Sequence, residues 1–198
     1  MNYCISMLDH RETIIAKRTL LSTLCHCAYN IDMIVYMKNN LLLKRLLLKM
    51  SEPDDSEISF NSYRILAIIM NEEDIKTSAN GCKIVSLFYI YFISMIDDSI
   101  QIMALDSLLH SLKSLVQHEQ IKIELINKET IPLLIRCVIE ANFQKTKIQQ
   151  YALATSLTLS FNDEALKVLE KDVNFMNHLK VLENSTEENI QRAANHLL

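Results

Sequence analysis

Tryptophan is absent from this chain, glycine occurs once (Gly81) and proline twice (Pro53 and Pro132). An average chain of this length would hold roughly fourteen glycines. Hairpins, phosphate-binding loops and nucleophile elbows all depend on glycine. Its scarcity predicts a nearly all-helical protein and argues against several enzyme classes at once. An excess of one charge is also missing: 20 basic and 24 acidic residues leave a net charge of −4, with no long run of either sign. The basic face of a nucleic-acid binder is therefore not expected. The five cysteines (Cys4, Cys25, Cys27, Cys82 and Cys137) are odd in number and scattered, which fits reduced, mostly buried thiols in a cytoplasmic protein. The opening MNYCISMLDHRE has neither the basic head nor the apolar stretch of a signal peptide. The apolar run from Ile84 to Ile96 holds thirteen residues between Lys83 and Asp97. A membrane span needs about twenty, so a buried helix is expected there and no transmembrane segment.

What is present is a repeat. QHEQIKIELINKE at 117–129 and FNDEALKVLEKD at 161–172 follow the same plan, in which an apolar helix ends, a polar break follows and a short helix opens. The break recurs at Asn71 and Asn30, so that the four copies begin 41, 47 and 44 residues apart. An all-helical period of this size points to armadillo or HEAT arrays. The expected fold is all-α, a right-handed α-solenoid of about four armadillo-like repeats forming one domain over 1–198. The approximate repeats are 1–29 (partial), 30–70, 71–117, 118–161 and 162–198 (incomplete).

The breaks carry capping chemistry. Asn30, Asn71 and Asn162 can each accept a hydrogen bond from a free backbone N–H at a helix start. The acids behind them, Glu72-Glu73-Asp74 and Asp163-Glu164, suit the positive end of the helix dipole. His118 stands in place of Asn in the third copy and predicts a weaker cap. The second helices of the copies are expected at 41–50, 82–96, 131–141 and 174–184, with a turn at Glu129-Thr130 and Pro132 in the first turn of the helix after it. SEPDDS (51–56) and NFQKTK (142–147) are expected loops. Ser185 and Glu188 have the spacing of a capping box. The helix behind them stops uncapped at Leu198, which predicts that the natural protein continues.

YRILAIIMNEEDIK (63–76), SLKSLVQHEQIK (111–122), TIPLLIRCVIEA (130–141) and NHLKVLENSTEENIQRAANHLL (177–198) resemble armadillo-like regions that precede TIR domains in some invertebrate signalling proteins. The resemblance implies a regulatory arm in innate-type signalling, with a nucleotide-like metabolite as a conceivable ligand. The TIR segment itself is not in this sequence, so its NAD-cleaving chemistry is not carried over.

Three constellations suggest chemistry and fail. Asp106, His110 and Ser114 lie four residues apart and stack along one helix face. They have a triad's composition but no oxyanion hole and no exposed nucleophile turn. Cys25-His26-Cys27 places neighbours on different sides of a helix, and no second cluster completes four zinc ligands. Lys44, Arg45 and Lys49 share a face of a leucine-rich helix, which reads as its solvated side and less well as a membrane-surface segment. No catalytic, metal or cofactor site is expected. The inner face of the third helices is the candidate binding row: Tyr29, Met70, Lys113, Gln117 and Phe161. Cys25, Leu66, Lys113 and Leu157 stand where familiar peptide-binding armadillo proteins carry tryptophan. Such a row lacks the regular amide donors and acceptors that clamp a peptide backbone. The expected function is a non-enzymatic protein–protein interaction or scaffold module. Its partner would be another protein or a downstream domain of the same one, without nucleic acid and in the cytoplasm.

Overall fold

The computed structural model describes residues 2–9, 13–28, 30–51, 55–76, 78–96, 102–143 and 147–198. Among the described residues every regular element is a helix, and they fall into two compact units, Met1–Leu87 and Phe88–Leu198.

The first unit is assembled from α1 (Asn2–Asp9), α2 (Ile14–Cys27), α3 (Ile31–Lys38), α4 (Leu41–Met50), α5 (Ser56–Ile69) and α6 (Glu72–Lys76). α5 is its centre. Tyr63, Ile65, Leu66 and Ile69 are fully buried on it, and α2, α3 and α4 all pack against it. Each of these helices opens on a short polar side chain that accepts free backbone N–H groups. Thr13 takes Ala16 at 3.3 Å, Asn30 takes Asp32 and Met33 at 3.0 and 3.2 Å, Asn40 takes Leu43 at 2.9 Å and Asp55 takes Ile58 at 3.0 Å. Asp55 also receives Arg18 Nη2 at 2.7 Å, which ties α2 to the start of α5. That guanidinium and the Ile58 N–H hold the Asp55 carboxyl below its ordinary range.

Lys44 departs from the expectation of a solvated basic face. It is only 5% exposed, and its ammonium donates to Asp74 Oδ2 on α6. Arg45 and Lys49 do face water. The same Asp74 oxygen accepts the N–H of Asn71, while Asn71 Oδ1 accepts the N–H of Asp74, each at 2.9 Å. This reciprocal box is what the break at Asn71 encodes.

α7 (Ser78–Ile96) contains the division between the units. Its apolar run is buried at Ile84, Val85, Phe88 and Phe92 but leaves Ile90 and Ile93 exposed by 61% and 44%. It is thus less enclosed than the sequence suggests. No described helix is long and apolar enough to cross a membrane.

The second unit continues with α8 (Ile102–Leu115), α9 (Glu119–Asn127), α10 (Ile131–Ile139), α11 (Lys147–Leu159), α12 (Asp163–Lys171), α13 (Val173–Leu182) and α14 (Glu188–Leu197). A 3-10 turn, Ala141–Phe143, precedes α11. α11 is the hub here, packed on α8, α10 and α14. α9 and α10 have nine residues each and α11 has thirteen, so two short helices precede a longer one. Glu129 makes the turn between the first two with φ of 53°, and Pro132 sits in the first turn of α10. The Thr130 hydroxyl donates inward to the Leu125 carbonyl at 2.6 Å and so does not cap α10.

Asn162 accepts from Glu164 and Ala165 at 3.0 and 3.2 Å, whereas His118 gives α9 no side-chain cap. Asn162→Ala is therefore expected to cost about 1 kcal/mol. Asn142→Ala, at an exposed position of the 3-10 turn, is expected to cost much less. Parallel urea melts of the two variants compare them, and equal midpoints would contradict the assigned helix starts. Ser185 does not open α14 as expected. Its hydroxyl accepts the Glu187 N–H at 3.2 Å within a turn, and the helix begins three residues later with Glu187 as an uncapped lead. The middles of the two predicted loops, 52–54 and 144–146, lie outside the described residues.

Candidate protein-binding surface

The row expected to bind a partner is distributed over both units. Tyr29 lies outside the described residues. Met70 ends α5, where its side chain is 4% exposed; it serves the core and offers a ligand no surface. In the second unit Lys113 and Gln117 are exposed, and Phe161, just beyond α11, is 80% exposed. The positions that would carry tryptophan are also mixed. Cys25 and Leu66 are buried, Leu157 is half-buried and Lys113 is open to water.

Packing of α8 on α11 builds a polar and aromatic patch around Lys113. Its ammonium lies 5.9 Å from the centre of the Tyr151 ring, within range of a cation–π contact. The His110 imidazole meets the same ring edge-on, with centroids 5.2 Å apart. One turn earlier, burial pushes the Asp106 carboxyl above its ordinary range, against the pull of Lys147 and His110. The sequence places Asp106, His110 and Ser114 along one face; the structure adds Tyr151 and Lys147 from α11, which no spacing along the chain could have signalled. Lys113 and Lys147 are exposed there, while Asp106, His110 and Tyr151 are half-buried.

The cysteines divide unevenly. Burial raises Cys25 to about 11 and Cys137 to about 12, so both thiols are inert. Cys27 is half-buried and Cys82 is exposed, and the Cys4 side chain lies outside those described. His26 turns outward, with Nδ1 2.7 Å from the Ser22 carbonyl. Among the described residues no group of three His, Cys, Asp or Glu side chains could hold a metal ion.

A cavity of about 390 Å³ opens among α11, α13 and the turn before α14. Gln149 and His178 form its polar part, Leu182 and Ile190 part of its wall. Gln149 is buried, and its amide donates to the Val138 carbonyl at 2.8 Å. Burial lowers the affinity of His178 for a proton. The unfolded chain therefore binds that proton first as pH falls, and the contribution to stability is fully present above the ordinary histidine value of 6.5. It is lost as pH falls from there through the depressed folded value. His178→Gln is expected to flatten this part of the stability–pH curve, measured by thermal melts between about pH 5 and 7.5.

These features define an all-α protein of the armadillo class with a partly polar helix face. The chain belongs to the family of the V-ATPase H subunit, whose pattern it matches over residues 18–195. An engineered protein from a structural genomics programme superimposes with a TM-score of 0.68 at 16% identity, covering 98% of this chain and 46% of its own length. The chain thus spans about half of that protein. A designed armadillo repeat protein gives a TM-score of 0.60 at 16% identity, covering 99% of this chain and 97% of its own. A third engineered structure gives 0.63 at 14% identity, covering 100% of this chain and 96% of its own. At such identities the likeness shows the fold alone. No curated protein matches the sequence.

Proposed function

We propose that this chain is a non-enzymatic, protein-binding module that joins a V-type ATPase assembly, and that it meets its partner through the exposed parts of α8 and α11. Family membership suggests the assembly. The surface is suggested by Phe161. Of six phenylalanines, Phe88, Phe92, Phe143 and Phe175 are buried and Phe60 is half-buried, while Phe161 stands 80% exposed. A lone aromatic held in water is the kind of side chain that anchors an interface once a partner covers it. Lys113 on α8 and Tyr151 on α11, the helix that Phe161 follows, supply charge and stacking.

The test is capture of purified V-type ATPase subcomplexes on the immobilised chain. Phe161→Ser is expected to weaken capture about thirtyfold, the scale of an interface hot spot. Lys113→Glu is expected to weaken it less and to alter its salt dependence. Unchanged capture in both variants would remove this surface from the proposal; no capture by the parent chain would remove the assembly.

A more particular role, as the regulatory arm of a TIR-domain protein, has the four resembling strings as its support. A TIR segment downstream in the complete transcript would favour it over membership of an ATPase assembly. The odd, scattered cysteines favour a cytoplasmic setting for either role.

A further inference from the structure

Residues 33–51 contain four cations, Lys38, Lys44, Arg45 and Lys49, and no acid, in a chain whose net charge is −4. Lys44 is turned inward and occupied by Asp74. The other three face water. Beside them stand large apolar side chains that the fold leaves uncovered: Ile31 is 72% exposed, Val35 54%, Leu41 64% and Leu42 50%.

Helical spacing arranges these residues. On α3, Ile31, Val35 and Lys38 follow at i, i+4 and i+7; on α4, Leu42, Arg45 and Lys49 follow at i, i+3 and i+7. Each set therefore shares one face of its helix. α4 turns the opposite side, with Leu43, Lys44, Leu46 and Leu47, away from water and packs on α5. Only Asn39 and Asn40 separate the two helices, so Lys38 and Leu41 flank the same corner. The one acid on α3 is Asp32, at the end remote from that corner.

We infer that this corner is a peripheral docking site for an anionic membrane surface. Leucine, isoleucine and valine side chains would enter the headgroup boundary, and Lys38, Arg45 and Lys49 would meet lipid phosphates and carboxylates. Tyr36, 38% exposed on α3, adds a ring suited to the headgroup level. Charge complementarity selects an anionic partner. The shape selects a membrane over an acidic amphipathic helix. Such a helix lays its apolar face into a groove, whereas these side chains project from the outer faces of two helices and line neither the cavity at His178 nor the hollow beside Arg18, Ser22 and His26 on α2.

The test is sedimentation of the whole chain with vesicles of phosphatidylcholine, alone or mixed with phosphatidylserine. Binding is expected only to the mixed vesicles, and it is expected to fade as salt rises. Each cation near such a surface is worth roughly fivefold in partitioning, so Arg45→Gln with Lys49→Gln is expected to weaken binding by about 25-fold. Leu41→Ser with Leu42→Ser is expected to weaken it while leaving the salt dependence in place. All four side chains are exposed, so both double variants are expected to keep the parent melting temperature, which separates lost docking from lost folding. Failure of the parent chain to sediment with mixed vesicles overturns the inference. So does sedimentation that neither double variant reduces. Tight binding of a soluble acidic amphipathic peptide without vesicle binding assigns the corner to a protein partner and also overturns it. Any of these results leaves the α8–α11 interface standing.

Discussion

Asp74→Ala is expected to destabilise the first unit by about 3 to 5 kcal/mol, the scale seen when one member of a buried ion pair is removed. Three roles converge on this carboxylate. It accepts the Lys44 ammonium, it accepts the Asn71 N–H, and it sits in the first turn of α6, where negative charge favours the helix dipole. α6 has five residues, too few to be stable alone, so its place depends on this side chain and on Ile75, which is 1% exposed. The larger part of the cost comes from Lys44, left enclosed without a counter-charge. Lys44→Met removes the buried cation and leaves Asp74, 21% exposed, in contact with water; it is expected to cost clearly less. Urea unfolding of both variants measures the difference. Equal losses would mean that the lysine reaches solvent once its partner is gone.

Phe175→Ala is expected to cost the second unit about 3 to 5 kcal/mol, as large-to-small changes at packed aromatic sites do. Phe175 is fully buried near the start of α13, and its N–H is held by Asp172 Oδ1 at 2.9 Å. α13 packs on α10, α12 and α14, so little can move in to fill the space of a lost ring. Phe161→Ala removes the same atoms from a position in water and is expected to change stability by less than about 0.5 kcal/mol. Thermal unfolding followed by circular dichroism compares the two. A large loss at Phe161 would mean that its exposure here is not its resting state, and the proposed interface would lose its anchor.

Where the sequence succeeded, the signal was local. Asn30, Asn71 and Asn162 mark helix starts because a cap is read by N–H groups two or three residues away, and such contacts are preserved in linear order. The same chemistry at Asn40, Asp55 and Asp172 was equally available but lies inside the repeats, where the period draws no attention to it. Where the sequence fell short, the cause was distant. Nothing near Lys44 announces that Asp74, thirty residues on, will turn it inward. Ser185 and Glu188 have the right spacing for a cap, yet the turn at Glu187 claims the hydroxyl first. Met70 and Phe161 occupy equivalent places after their third helices, but one is buried and the other is not. Only the packing of neighbouring helices decides that. The Lys113–Tyr151 contact likewise joins two helices whose pairing the repeat implies but whose touching side chains it does not specify.

The helices that pack around each hub come from its own stretch of the chain: α2, α3 and α4 with α5, and α8, α10 and α14 with α11. The entropy of closing the loops between them grows only slowly with loop length, and helical domains of this kind fold in microseconds to milliseconds. Synthesis at about 5 to 20 residues per second is far slower. The hub of the first unit, α5, leaves the ribosome long before α11 is made, so its neighbours can settle around it without waiting for the second hub. For a nascent chain of this kind, the order of translation is also an order of assembly.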